Sequence, residues 1–159
     1  MNASQQIQAL FKQELVLFTQ LLEIFQREKE TLKKRDTDAL QALQQTKQPL
    51  ITELEQLQIN VITILENAGL KNGLGDLDVF ISQQTPLDQK ELQQLWQEIS
   101  RMGGKCQKEN LTIGGIVELN RLQVATALGI LRGTSIRPSE YNTAGRLENN
   151  AVSKSLAKA

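Results

Sequence analysis

Few side chains in this sequence have the types and spacing needed for acid–base, nucleophilic or metal chemistry. The chain contains no histidine, the residue used most often as a general acid or base and as a metal ligand. Its single cysteine, Cys106, falls on the apolar side of a helical pattern, so we interpret it as an inert core thiol. The carboxylates Glu53, Glu55 and Glu66 lack the Glu-x-x-His pattern of di-iron helical bundles.

Two further groups of residues have the composition of ligand sites without the required context. Gly69, Gly73 and Gly75 lack the strand, the lysine and the hydroxyl residue of a phosphate-binding loop. Asp76 and Asp78 provide too few oxygen ligands for calcium. The sequence therefore predicts a protein that is not an enzyme and that has no cofactor, no metal and no small-molecule substrate.

The composition indicates long helices rather than a reactive site. The 159 residues include 20 Gln and only three Pro, and aromatic residues make up 4%, a combination typical of long amphipathic helices. Lys and Arg number 18, as do Asp and Glu, so the chain lacks the positive charge expected of a nucleic-acid binder. A single cysteine, no signal-peptide pattern and no 18-residue apolar run predict a cytoplasmic protein that does not insert into membranes.

The longest helical pattern runs from Thr85 to Arg132. Thr85 is suited to cap a helix and Pro86 to begin one. Two rows of residues then repeat every seven positions, which predicts one helix with partner helices along its length, spanning roughly 70 Å. The rows are Trp96, Gly103, Asn110, Val117, Val124 and Leu131, and Leu92, Ile99, Cys106, Ile113, Asn120 and Ala127.

Asparagines and glycines interrupt these rows. We expect Asn110 and Asn120 to be buried and to fix the register of the helix against its partners. The pairs Gly103-Gly104 and Gly114-Gly115 are unfavourable inside a helix. We favour the interpretation that a neighbouring helix approaches closely at these pairs, and a hinge is the alternative.

The first helix has an unusually wide apolar face. Phe11, Phe18 and Phe25 repeat every seven residues along it. A face wider than two positions in seven predicts either contact with two neighbouring helices or an apolar strip that is left for a partner protein. The two-neighbour core is favoured, and the three phenylalanines are kept as candidate partner-binding residues.

The second helix follows a tight connection, Arg35-Asp36-Thr37-Asp38, in which Asp36 is suited to cap it, and so short a link makes it an antiparallel neighbour of the first. Its apolar row is broken only at Lys47, just before Pro49. Because proline removes a backbone hydrogen bond inside a helix, we expect a bend there, and a division into two helices is the alternative.

The sequence thus predicts an all-α fold, an elongated antiparallel three-helix bundle with a short connecting helix. We expect the bundle to occupy residues 1–132, with helices at about 4–34, 36–67, 76–83 and 86–132. Residues 133–159 are rich in Ser, Asn, Ala and Gly and are expected to form a flexible interaction tail. Its candidate partner-binding residues are Ile136, Tyr141, Gly145, Leu147, Val152 and Leu156.

These residues also carry a family resemblance. The run from Cys106 to Asn110 followed by Gly114, the amphipathic stretch to Gly133, and Tyr141 with Gly145 four residues later resemble the FlgN-type flagellar export chaperones. The resemblance covers the layout of the whole chain. The family pattern has a second Asn where this chain has Ile113, so no role of that Asn transfers.

The resemblance implies a cytoplasmic chaperone that binds the unassembled hook–filament junction proteins, FlgK and FlgL. Such a chaperone keeps the subunits from premature assembly and delivers them to the cytosolic domain of the flagellar type III export gate. An apolar helix surface and a detachable tail suit that task, because the termini of the subunits are helical.

Two other functions are compatible with long helices. A structural coiled-coil adaptor would use the same rows of residues but would have no cycle of client release. An all-helical enzyme resembling chorismate mutase would need several charged groups that converge in a buried pocket, and the predicted rows offer only Lys47 and edge charges.

Overall fold

The structure, a computed structural model, describes the backbone of residues 1–132 and the side chains of residues 1–117. Within residues 1–132 the chain is helical and contains no strand, so the predicted all-α class is confirmed. The elements are α1 (Ala3–Lys34), α2 (Thr37–Asn67), a 3-10 turn (Gly73–Asp76), α3 (Leu77–Ser82) and α4 (Pro86–Arg132). The predicted tail, residues 133–159, lies outside the described residues.

The link between α1 and α2 reverses the chain within two residues. Arg35 adopts a left-handed conformation (φ 54°) and ends α1, because its N–H and that of Asp36 turn back to carbonyl oxygens in the last turn. Asp36 then caps α2 through a 3.1 Å hydrogen bond from the Ala39 N–H to its carboxylate. Because the connection is so short, α2 runs antiparallel to α1.

The helix α2 is continuous through Pro49, so the alternative of two separate helices is wrong. It ends at Asn67, and Gly69, whose backbone is left-handed (φ 86°), follows the cap residue and lets the Leu70 N–H donate to the Leu65 carbonyl at 2.9 Å. The chain then passes through the 3-10 turn into α3, which buries Leu77, Phe80 and Ile81 at the end of the bundle.

The central helix of the bundle is α1. It makes extensive contacts with both α2 and α4, whereas α2 and α4 touch each other little. Along α4 the partners of α1 advance in the same direction, from Phe11 against Trp96 to Lys29 against Glu109, so α1 and α4 are parallel. The architecture is therefore an up-down-up arrangement of the three long helices, built around α1.

The face of α1 explains this arrangement. Phe11, Phe18 and Phe25 are all buried between the two neighbouring helices. The interpretation of the wide apolar face as a two-neighbour core is thus confirmed, and the interpretation as an exposed strip is wrong. None of the three rings is available to a partner protein while the bundle is closed.

The packing of α2 on α1 predicts how a charge introduced on each face of α2 changes the stability of the bundle. Val61 is fully buried in α2 and Ile59, two residues earlier, is 53% exposed. Val61→Asp places a carboxylate in the core and is expected to cost about 3 kcal/mol or more, which lowers the melting temperature measured by circular dichroism by roughly 10 °C. Ile59→Asp is the matched control and should change the melt little. Equal effects of the two variants would show that the two faces of α2 are assigned incorrectly.

Candidate partner-binding site

The residues predicted to bind partners divide into two groups. The six tail residues Ile136, Tyr141, Gly145, Leu147, Val152 and Leu156 lie outside the described residues. The three phenylalanines of α1 lie in the core, as described above. Among the described helices, the remaining candidate surfaces are therefore α4 and the edges of its contact with α1.

The face of α4 that packs on α1 is wider than the two predicted rows. One predicted row, Leu92, Ile99, Cys106 and Ile113, is buried. In the other predicted row Trp96, Gly103 and Val117 are half-buried, but Asn110 is exposed, so the prediction that it is buried and fixes the register is wrong. A third row, Leu95, Met102, Glu109 and Ile116, is also buried or half-buried. The position of Asn110 therefore lies at the edge of the contact. The side chain of Asn120 lies outside the described residues.

The glycines of α4 do not share one role. A methyl group at Gly103 would lie 3.6 Å from Cζ of Phe18, an ordinary van der Waals distance, so this glycine contacts a side chain of α1 without a close approach of the two backbones. Gly104 and Gly115 are exposed, and nothing lies within 4 Å of the corresponding position. The prediction of close approach is therefore wrong at Gly104 and Gly115, and Gly114 is half-buried.

Cys106 has the environment of a core thiol. It is buried, and its Sγ lies 3.8 Å from the Phe18 carbonyl oxygen, to which it donates a weak hydrogen bond. Burial raises the pKa of the thiol to about 11, and the nearby Glu109 carboxylate raises it further. Cys106 is thus protonated at neutral pH and is not a nucleophile, since only the thiolate reacts.

A buried ion pair joins α1 to α2 near their link. Glu28 is 0% exposed, and its carboxylate accepts hydrogen bonds from the Lys47 ammonium at 3.1 and 3.3 Å and from the Gln44 amide at 2.7 Å. Lys47 Nζ also lies 5.5 Å from the centre of the Phe25 ring, within range of a cation–π contact. Because a buried carboxylate without a cation is strongly destabilising, these partners fix the position of α2 along α1.

A second carboxylate, that of Glu14, is also buried, but no lysine or arginine among the described residues forms an ion pair with it. It is 2% exposed, and burial raises its pKa from the ordinary value of 4.5 to about 7, while a hydrogen bond from the Gln58 side chain opposes the rise. Neither Glu14 nor Glu28 was predicted to be buried. The signal was present, because both continue the seven-residue row of Ile7 and Leu21, but a charge on such a row is more often assigned to the surface.

The C-terminal end of α4 extends beyond α1 and α2. Lys29 of α1 pairs with Glu109 of α4; beyond this pair α1 continues for five residues and α4 for 23. At ~1.5 Å per residue, α4 therefore runs roughly 25 Å further than α1. Since α2 begins at this same end of α1, neither helix is long enough to flank the last turns of α4.

The described residues contain no group of His, Cys, Asp or Glu that is arranged to hold a metal ion. Among these same residues, no helix is both long and apolar enough to cross a membrane. The class of protein that the described helices define is an all-α helical bundle.

Comparison with known proteins identifies the family. The model of the FlgN protein family matches residues 1–149. The chain therefore belongs to the FlgN family, a family of flagellar export chaperones rather than enzymes. No curated protein and no solved structure matches the chain significantly.

Glu14 makes the stability of the bundle dependent on pH. Its raised pKa means that the folded chain binds a proton between about pH 4.5 and 7 that the unfolded chain does not bind. The stabilisation from this group is complete below about pH 4.5 and is lost as the pH rises to about 7, a difference of about 3 kcal/mol.

We expect Glu14→Gln to remove this dependence and to raise the melting temperature at pH 8 more than at pH 5, as measured by circular dichroism. Glu53→Gln, an exposed position on α2, is the control and should leave the pH profile as in the unaltered chain. If Glu14→Gln keeps the original profile, the carboxylate is not desolvated in the folded bundle.

Proposed function

We propose that this chain is a cytoplasmic export chaperone for the hook–filament junction subunits, FlgK and FlgL, and that it delivers them to the flagellar type III export gate. Membership of the family supports the export role. The observation that carries the finer assignment is the length of α4, whose last turns extend beyond α1 and α2.

The sequence of this extension retains the pattern of a helix that packs against other helices. Val117, Val124 and Leu131 continue one row at seven-residue spacing, and Ala127 lies on the interleaved row. An apolar row on a helix normally requires a partner helix. Because α1 and α2 do not reach this far, the partner that best suits the row is a helix of another protein, such as a helical terminus of a junction subunit.

The tail continues directly from this extension. It carries spaced apolar residues, with Tyr141 as the single tyrosine of the chain. An aromatic ring with a hydroxyl combines contact area with a hydrogen bond at low entropic cost, which is typical of binding hot spots. We assign Tyr141 to the contact with the export gate and the α4 extension to the contact with the junction subunit.

The adaptor alternative differs in one respect, the release of the bound subunit. A chaperone must give up its subunit at the gate, whereas an adaptor holds its partners in a fixed complex. Adding the export-gate cytosolic domain to a preformed complex with a junction subunit, followed by size-exclusion chromatography, separates the two. Under our proposal the junction subunit leaves the chaperone when the gate domain is added, whereas a complex whose stoichiometry the gate domain does not change would support the adaptor.

Isothermal titration calorimetry tests the assignment of the two contacts. Val124→Asp is expected to weaken binding of purified FlgK or FlgL at least ten-fold and to leave gate binding unchanged, because a carboxylate interrupts the apolar row. Gln123→Asp adds the same charge at the adjacent position and is the matched control.

The complementary variant is Tyr141→Ala. It should weaken gate binding by about 2 kcal/mol, the loss expected of a hot spot, and deletion of residues 133–159 should abolish that binding while the helical spectrum of the bundle persists. If both partners bind the deleted chain and Val124→Asp as tightly as the unaltered chain, the binding surface lies elsewhere and the proposal fails.

A further inference from the structure

The two parts of α2 on either side of Pro49 pack differently against α1. Residues 37–48 contain no fully buried side chain, although every one of them lies in the helix, and Leu40 is only partly buried against the core. The second part buries four apolar side chains, Leu54, Leu57, Val61 and Leu65. The first part of α2 therefore gains little from the apolar burial that holds the second part in place.

A groove of about 410 Å³, open to solvent, follows the outer edge of this contact, with Leu43 and Thr46 on one wall and Arg27 and Lys34 on the other. The side chains of its walls are exposed or half-buried. The face of α1 on the inner side of the contact is apolar, since Phe25 and Leu32 are buried.

The contact that holds the first part of α2 is polar. It is the cluster described above, in which Lys47 and Gln44 donate hydrogen bonds to the buried carboxylate of Glu28. Immediately after this cluster, Pro49 has no N–H to donate to the carbonyl of Gln45, so the helix lacks one backbone hydrogen bond there. Helices bend preferentially at such positions.

We propose that residues 37–48, which we name the strap, swing away from α1 about Pro49 and uncover an acceptor site for an amphipathic helix of a partner protein. The site is the face of α1 around Phe25, Glu28 and Leu32. An open strap exposes the Glu28 carboxylate to water, and a helix that then covers this face buries the carboxylate again, which is strongly unfavourable without a cation. The incoming helix must therefore carry a lysine or arginine at the centre of its apolar face. The inference goes beyond the proposed function, which concerns α4 and the tail, and it is tested without either of the partners named there.

Hydrogen exchange of the intact chain, followed by mass spectrometry, tests the hinge. Opening about Pro49 predicts uniform, rapid exchange over the strap and a step of at least ten-fold to slower exchange over residues 54–65. Simple fraying of the helix from its start would instead give protection that rises gradually along α2, and that result would overturn the proposal. Pro49→Ala restores the missing hydrogen bond and is expected to slow exchange of the strap.

Removing the Lys47 ammonium tests whether the polar cluster at Glu28 holds the strap closed. Lys47→Met should speed exchange of the strap at least ten-fold without affecting residues 54–65, because the Glu28 carboxylate then favours the open state. Lys90→Met, which changes an exposed lysine of α4, is the matched control and should leave the strap unchanged. Faster exchange throughout the chain in Lys47→Met would show that the cluster stabilises the whole bundle. That result would contradict the proposal that the cluster holds only the strap in place.

A peptide tests the acceptor site and its charge requirement. The probe is a fluorescein-labelled peptide of residues 37–52, whose binding to the full chain is measured by fluorescence anisotropy. It should bind the Lys47→Met protein at least ten-fold more tightly than the unaltered protein, because its own lysine can pair with Glu28. The same peptide carrying Lys47→Glu should lose this preference.

Two results would overturn the assignment of a partner helix. One is equal binding of the two peptides, which would remove the requirement for a cation. The other is dimerisation of the Lys47→Met protein by light scattering, which would assign the site to the strap of a second copy.

Discussion

The structure depends on the burial of one helix between two others. The helix α1 carries buried residues at three of its seven heptad positions, and α2 and α4 are joined chiefly through their separate contacts with it. Helix pairs stabilise each other by covering apolar stripes, so α2 and α4 hold their places because α1 presents a stripe to each. The buried carboxylates of α1 fix its register against the neighbouring helices. A shift along the helix axis would take each carboxylate away from its polar partners, which is energetically costly.

This frame determines where the chain can bind other proteins. Apolar side chains near the middle of α1 are already covered and contribute to folding, whereas the first part of α2 and the last turns of α4 lie where the coverage by α1 is weak or ends. Both places lie toward the same end of α1, near its link to α2. A helical bundle that is well packed at one end and incomplete at the other can bind a foreign helix while most of its core stays folded.

Much of the fold follows from the sequence, because long helices with short links leave few arrangements. The capping residues Asp36 and Thr85 and the seven-residue spacing of Phe11, Phe18 and Phe25 were sufficient to predict an all-α bundle. The row of α4 that faces α1 could not be fixed, because adjacent heptad positions differ by about 100° and both were partly apolar. Asn110 was therefore predicted to be buried and is exposed.

The buried charges were missed for a different reason. A carboxylate on an otherwise apolar row is compatible with the surface unless its partner is known, and the partner of Glu28 lies on another helix. Lys47 was recognised as a break in the row of α2, but only the packing shows that this break and Glu28 compensate each other. The role of the tail was predicted from composition and from family resemblance, and it remains a proposal because residues 133–159 lie outside the described residues.

The central claim is that partners bind the part of α4 that extends beyond α1 and α2. They do not bind the exposed apolar positions on the body of the bundle. Photo-crosslinking tests it most directly, with a benzoylphenylalanine placed either at Val124 in the extension of α4 or at Val16, an exposed valine of α1. In the presence of purified junction subunit, the account predicts a crosslinked complex from position 124 and none from position 16. Crosslinking from position 16 alone would contradict it and would place the binding surface on the body of the bundle.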